Sequence, residues 1–324
     1  MQRQLPTVPA TGNRTRYPRP LVAFSLAVAT LLTTLTACAG PQPDREVSLS
    51  RQVPEAEVTA NPGPEAIRIA AASVISPQET ARSYGTFFAY LEKKIGRPIE
   101  LVQRQTYEET YDLLRTGSLD LAMVCTYIYV RGHRELGLEL LGGPQADGRA
   151  EYRSFVIVQS ESGITSFDDL EGKRFAFTDP LSTSGRLYPL ALLKDRGQDP
   201  GKFFASTTYT YSHDQSIKAV AQGLVDGAAV DSLVYDQWVA ANPDLGRQLR
   251  VIQRSDAMPS PPFVASPDLD PAVRDALKDA LLTMHENEEG KKILRALAVE
   301  RFVAQRNEDY EPVRELARKA GLEP

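Results

Sequence analysis

Cysteine, histidine and tryptophan are scarce in this chain. Its 324 residues include two Cys, three His and one Trp. With only Cys38 and Cys125 available, no disulfide framework can hold the body, so its core must do so. His133, His213 and His285 lie far apart in no ligand-spaced cluster, and no metal site is expected. The phosphate-loop pattern G-x-x-x-x-G-K-[ST] and the G-x-S-x-G nucleophile elbow are both missing. No cofactor is expected. The net charge of -5, with no basic run or aromatic–basic stripe, gives no reason to expect nucleic acid as a partner.

Acidic residues are missing from the start of the chain. None precedes Asp44, whereas Arg3, Arg14, Arg16 and Arg19 form a basic lead. The apolar stretch Leu21 to Leu35 follows. At about 15 residues it is shorter than the ~20 a membrane span needs. Leu35-Thr36-Ala37-Cys38 then resembles a bacterial lipobox, which implies cleavage before Cys38 and lipidation of its sulfur. A plain signal peptide or short anchor is the alternative. A lipidated Cys38 leaves Cys125 without a partner. From Ala39 to Pro64 the chain is rich in Pro, Glu, Gln and Ser and poor in aromatics, the composition of a disordered tether.

Beyond the tether, strand and helix signals alternate. Ile67 to Ala72 reads as a buried strand. A helix carries Tyr84, Phe88, Leu91 and Ile95 and stops at Gly96. Ile99 to Gln103, a helix from Tyr107 to Gly117, and the strand Leu119 to Val124 complete β-α-β-α-β. Leu141 to Ala150 reads as a turn-rich connection. Tyr152 to Val158 leads into a second unit with strands at Gly172–Phe177, near Phe203–Tyr209 and at Gly227–Ser232. Between them lie a helix from Ser184 to Arg196 and one capped by Asp214. Leu249 to Ser255 leads out again, Met258 to Phe263 forms a proline-stiffened crossover, and helices finish the chain. One of these has Asp270 as cap and Pro271 at its first position. No internal repeat stands out. Two such units joined by two crossovers suggest a clamshell with ligand between lobes, outside the carboxyl ends of the strands.

Asp179 to Gly197 (DPLSTSGRLYPLALLKDRG) carries the most chemistry. Ser182, Thr183, Ser184 and Gly185 open a helix directly after a strand. Free N–H groups and the positive dipole end make such a start fit for an oxyanion, with hydroxyls as further donors and Gly185 allowing close approach. An ordinary capped helix needs only one hydroxyl. His213, Asp214 and Asp231 also fall on carboxyl-end loops, although Asp214 and Asp231 could each be plain helix caps.

DPLSTSG followed by SHD and by VDS, in that order, resembles the phosphate/phosphite/phosphonate-binding receptors of ABC importers. The resemblance spans about Ala66 to Leu297. It implies the α/β type II periplasmic binding protein fold, a two-lobed clamshell whose lobes are each a mostly parallel sheet flanked by helices. It also implies roles. Ser182, Thr183, Ser184 and the Gly185 backbone would hold phosphorus oxygens, and His213 would donate a further hydrogen bond. Tyr107 would reach the anion from the opposite lobe. Asp231 would accept from a protonated ligand oxygen or pair with a ligand amine. The chain departs from the family at Cys125-Thr126. There Thr126, Tyr127 or Tyr129 could supply the family's contact.

The resulting expectation is a leader over 1–37, a lipidated tether over 38–65, one lobe from 66–154 with 253–324, and another from 155–252. The protein is read as an extracytoplasmic, membrane-anchored monomer, in the periplasm or at the cell surface, feeding a permease–ATPase complex. The competing readings are a sensor feeding a membrane kinase and a hydrolase using Ser184, His213 and Asp231. Cys125 reads as a buried structural thiol and Trp238 as core.

Overall fold

The computed structural model describes residues 66–71 and 77–323. The expected leader, Cys38, the expected tether and residues 72–76 lie outside the described residues. The chain runs β1 (Ile67–Ala71), α1 (Pro77–Ile95), β2 (Ile99–Leu101), α2 (Tyr107–Arg115), β3 (Leu121–Met123), α3 (Thr126–Leu136), β4 (Glu139–Gln145), β5 (Glu151–Tyr152) and β6 (Ser154–Gln159). It continues through β7 (Arg174–Phe177), α4 (Tyr188–Asp195), the single turn α5 (Pro200–Phe203), β8 (Ser206–Tyr209), α6 (His213–Ala221), β9 (Gly227–Asp231), α7 (Ser232–Ala241), the single turn α8 (Pro243–Gly246) and β10 (Leu249–Arg254). The last elements are β11 (Met258–Pro259), β12 (Phe263–Ala265), α9 (Pro271–Leu282), α10 (Glu288–Ala296), β13 (Arg301–Val303) and α11 (Glu311–Lys319).

Two mixed sheets result. The first has the order β13-β4-β12-β3-β1-β2 and the second β10-β6-β9-β7-β8. Each is parallel over three strands, β2-β1-β3 and β8-β7-β9, and antiparallel where the crossover strands join. The two segments that connect the sheets pair with each other, β5 antiparallel to β11, through Met258 opposite Tyr152. Most of the expected strands and helices form, and Asp270 caps α9 through the Ala272 and Val273 N–H groups.

Three segments differ from the sequence reading. Leu141 to Gln145 is not a turn but the body of β4, held between β12 and β13. Its Gly142 sits at φ 156°, where a Cβ would come within 2.9 Å of the Val303 carbonyl oxygen, so the glycine permits the β13 pairing. Phe203 ends a helical turn that begins at Pro200, and the strand starts only at Ser206. Asp214 is not a cap. Helix α6 starts at His213, with Ser212 at the cap position, and the Asp214 carboxylate accepts from Lys218 Nζ at 2.9 Å.

A repeat invisible in the sequence emerges at the amino ends of the parallel strands. In the first sheet the Arg68 N–H and side chain donate to Asp120, and Arg68 Nη2 donates to the Gly117 carbonyl at 3.0 Å. In the second, Arg174 makes the same bonds to Asp226 and to the Gly223 carbonyl, also at 3.0 Å. The partners are 52 and 49 residues from the arginine in both cases. Gly117 and Gly223 both lie at positive φ, 66° and 68°, the left-handed stop that follows a helix. Each sheet thus clamps the first of its three parallel strands to the helix end before the third.

All described residues fall within one compact unit, 59–324. One apolar cluster runs through both sheets, from Tyr107, Leu114 and Ile128 to Ile217, Val230 and Trp238. No helix among the described residues is long and apolar enough to cross a membrane.

Candidate ligand-binding site

Strand β7 ends at Phe177, and Thr178, Asp179 and Pro180 turn the chain toward the hydroxyl-rich helix start. That start is a widened π turn, Thr183–Leu187, running straight into α4. The Leu187 N–H donates to the Ser182 carbonyl at 3.0 Å, five residues back. Such turns are rare and concentrate at functional sites. Ser182 is the cap, its Oγ accepting from the Gly185 N–H at 3.0 Å. Gly185 is therefore not a gap for ligand. Its N–H is occupied by the cap, and a Cβ there would collide with the Thr178 side chain.

Thr183 points across to the first sheet's elements. Its Oγ1 accepts from the Tyr127 N–H and from Thr126 Oγ1, both at 2.9 Å, and Thr126 Oγ1 lies 3.0 Å from the Tyr152 hydroxyl. Asp179 makes a second tie. One carboxylate oxygen accepts from the Tyr107 N–H at 3.0 Å, the first residue of α2, and the other from the Leu181 N–H at 2.8 Å. Cys125 Sγ, 3.2 Å from the Leu181 carbonyl, makes a third. Burial pushes that thiol up to about 12, so it stays protonated and inert. The Asp179 carboxylate thus lies at the start of α2, where the helix dipole favours it.

Four groups remain open between these ties. The Tyr107 hydroxyl is fully buried and has no hydrogen-bond partner. Ser184 is 2% exposed, and its Oγ has no partner among the described residues, while its carbonyl accepts from Ser154 Oγ at 2.6 Å. His213 is buried, with its pKa lowered to about 3 by desolvation. The Asp231 N–H donates to His213 Nδ1 at 3.0 Å, so Nδ1 is bare and the neutral ring carries its proton on Nε2. Ser182 Oγ is 3.5 Å from that Nε2, a long contact that leaves the proton available. Asp231 caps α7 through Oδ1, which accepts from the Leu233 and Val234 N–H groups, and Oδ2 has no partner among the described residues. Burial pushes this carboxyl up to about 7, against the two cap bonds that lower it.

Asp231 also lines a cavity of about 110 Å³ that it shares with Tyr84 and Met123 of the first sheet's layer. The Tyr84 hydroxyl contacts Met123 Sδ at 3.7 Å, and burial and the Asp231 charge push it up to about 12.

The structure therefore gathers Ser182, Thr183, Ser184, Gly185, His213, Asp231, Tyr107 and Thr126 around one region. It takes Tyr127 and Tyr129 out of it. The Tyr127 hydroxyl donates to the Glu323 carbonyl at 3.0 Å, and only its backbone touches Thr183. The Tyr129 hydroxyl donates to Asn307 Oδ1, with its ring 4.4 Å from that of Tyr310. Helix α3 turns both side chains toward the C-terminal segment. The sequence reading missed Asp179, Thr178, Tyr152 and Tyr84. Asp179 stands in the DPLSTSG motif but reads there only as a strand end. Its partner is 72 residues away.

The arrangement offers hydrogen-bond donors in a water-poor space and one carboxyl able to hold or accept a proton. It is not a hydrolytic triad. His213 meets the backbone of Asp231, whose carboxylate faces its own helix, and Ser184 Oγ makes no bond to the ring. Among the described residues no group of three His, Cys, Asp or Glu could hold a metal ion.

Residues 69–310 match the family described as ABC transporter, phosphonate, periplasmic substrate-binding protein. A phosphate-import protein of Mycolicibacterium smegmatis is 33% identical over 232 residues, covering 68% of this chain and 72% of that protein. The binding-protein component of an ABC phosphonate transporter from Pseudomonas aeruginosa superposes with a TM-score of 0.76 at 25% identity, over 80% of this chain and 87% of that one. A Prochlorococcus marinus protein solved with methylphosphonate gives 0.72 at 22% identity, over 80% and 99%, a likeness of fold. The two mixed sheets are those of type II periplasmic binding proteins.

Proposed function

The chain belongs to the family of periplasmic substrate-binding proteins of phosphonate ABC transporters, and from that premise we propose that it captures a small phosphorus oxyanion between its two sheets. Phosphonate, phosphite and phosphate are the candidates. The family is one of transporter components, not of enzymes. The observation that carries the reading is the buried Tyr107 hydroxyl without a partner. A buried polar group left unpaired costs about 1–3 kcal/mol, and a ligand oxygen would relieve it. Ser184 Oγ and His213 Nε2–H offer further donors from the second sheet, and Asp231 Oδ2 would take the proton of a monoprotonated ligand. Ser182, Gly185, Thr183 and Thr126 hold the helix start in place rather than grip the anion. We assign 66–154 with 253–324 to one lobe and 155–252 to the other. The sheet membership of the strands supports this division apart from Ser154, Gln253 and Arg254, which pair within the second sheet. Cys38 would carry the lipid that tethers the protein beside its permease and ATPase partners.

Calorimetric titration of the purified protein with phosphate, phosphite, methylphosphonate and sulfate tests the reading. Binding of at least one phosphorus oxyanion is expected, weakened roughly tenfold or more by Ser184→Ala, because a hydrogen bond to a charged group is worth about 1.5–3 kcal/mol. No heat with any phosphorus oxyanion would overturn it.

A further inference from the structure

The cavity beside Asp231 has walls unlike those of the helix start. Its lining is mostly apolar, with Met123, Val234, Val299 and Phe302 among the lining side chains beside Tyr84 and Asp231. It lies next to the candidate anion groups through Asp231, whose N–H holds His213 and whose charge is felt at the buried Tyr107 hydroxyl. A bare inorganic oxyanion has no use for an apolar chamber of about 110 Å³, which has room for several water molecules and few polar groups to hold them. We propose that this cavity receives the organic substituent of the ligand, and that the substituent is short and uncharged. The preferred ligand class is thus alkylphosphonates with a carbon chain on phosphorus, ahead of phosphate, phosphite or aminoalkylphosphonates.

The exclusion of an amine follows from a count of acceptors. An ammonium group brings three donors. The polar side chains lining the cavity are Tyr84, Asp231 and Gln237. Gln237 is already anchored, its Nε2 donating to the Leu297 carbonyl at 3.0 Å. The Tyr84 hydroxyl is turned to the Met123 sulfur. Among the side chains that leaves Asp231 Oδ2 and Gln237 Oε1 for three donors, in a mostly apolar lining where an under-paired cation is penalised. A methyl or ethyl group meets no such penalty.

The inference rests on the oxyanion reading above, and one ligand series separates the two. The purified protein is titrated with phosphite, phosphate, methylphosphonate, ethylphosphonate, propylphosphonate and 2-aminoethylphosphonate, the last two being near-isosteric. Each methylene added up to the capacity of the cavity is expected to tighten binding about fourfold, from ~0.8 kcal/mol per buried methylene at 1.4 kcal/mol per decade. Propylphosphonate should exceed 2-aminoethylphosphonate by at least tenfold. Val299→Phe, which fills the chamber, should weaken ethylphosphonate and propylphosphonate at least tenfold while phosphite changes less than threefold. Phosphate or phosphite bound more tightly than every alkylphosphonate, or the amine bound more tightly than its isostere, overturns the substituent pocket and leaves oxyanion capture standing. Silence across the whole series overturns both. If Val299→Phe fails to fold, the ranking on the unaltered protein still decides.

Discussion

The two sheets share a clamp and differ in what they hold at the other end. Arg68, Gly117 and Asp120 in one repeat Arg174, Gly223 and Asp226 in the other, interval for interval. At the carboxyl ends the likeness stops. The second sheet brings Ser182, Thr183, Ser184, His213 and Asp231, two of which have strongly shifted pKa values. The first brings the buried Tyr107 and the half-buried Tyr84, phenols that stay protonated near neutral pH. A common scaffold is thus reused while proton chemistry sits on one side. The clamp lies at the opposite strand ends, where its bonds do not interfere with the candidate site.

The largest expected effect comes from cutting the tie between the sheets. Thr183→Val strands the buried Tyr127 N–H and takes from the Thr126 hydroxyl one of its two partners. Roughly 2–4 kcal/mol of stability should be lost, or about 5–10 °C in thermal midpoint for a body of this size. A melting curve within 1 °C of the parent would mean that the sheets are held by apolar packing alone.

Asp231→Asn tests the asymmetry by pH. In the fold this carboxyl titrates at about 7, well above its value in an unfolded chain. Its contribution to stability is complete below about pH 4 and is lost as pH rises through 7. His213, lowered to about 3, contributes stability that is lost as pH falls through its ordinary value of 6.5, so from pH 6.5 to 8 its residual effect is a small gain, opposite in sign to the loss from Asp231. Across that interval the ligand-free protein should lose thermal stability and the Asn variant should not. An unchanged slope would place the titrating group elsewhere.

The smallest effects should be equal ones. Asp120→Ala and Asp226→Ala each remove a partly exposed ion pair together with one backbone acceptor, about 1 kcal/mol apiece. Denaturant titrations differing by more than ~1 kcal/mol would show that the two clamps only look alike.

Most of the strand and helix order was readable from runs such as IRIAAA and GAAVDS, because buried parallel strands need continuous apolar sequence. Strand β4 was not, since Gly142, Gly143 and Pro144 read locally as a turn, and only the pairing with β12 and β13 makes them extended. The hydroxyl cluster and His213 were legible as candidates. Their division of labour was not. Which serine caps and which stays open depends on the π turn, and Asp179 acquires its role only when α2 arrives from the other sheet. The repeat escaped notice because the two halves share little beyond the clamp residues.

The pairing of β5 with β11 has a mechanical consequence. Two separate strands joining two bodies would allow them to twist, slide and bend. Zipped edge to edge, the strands form a ribbon, which flexes across its flat face far more readily than within its plane. The prolines at 259, 261 and 262 stiffen one edge further, each fixing a backbone angle. Any swing of one sheet against the other is thereby guided along a single arc. Such a swing would bring groups as far apart in sequence as Tyr107 and Ser184 back to the same register.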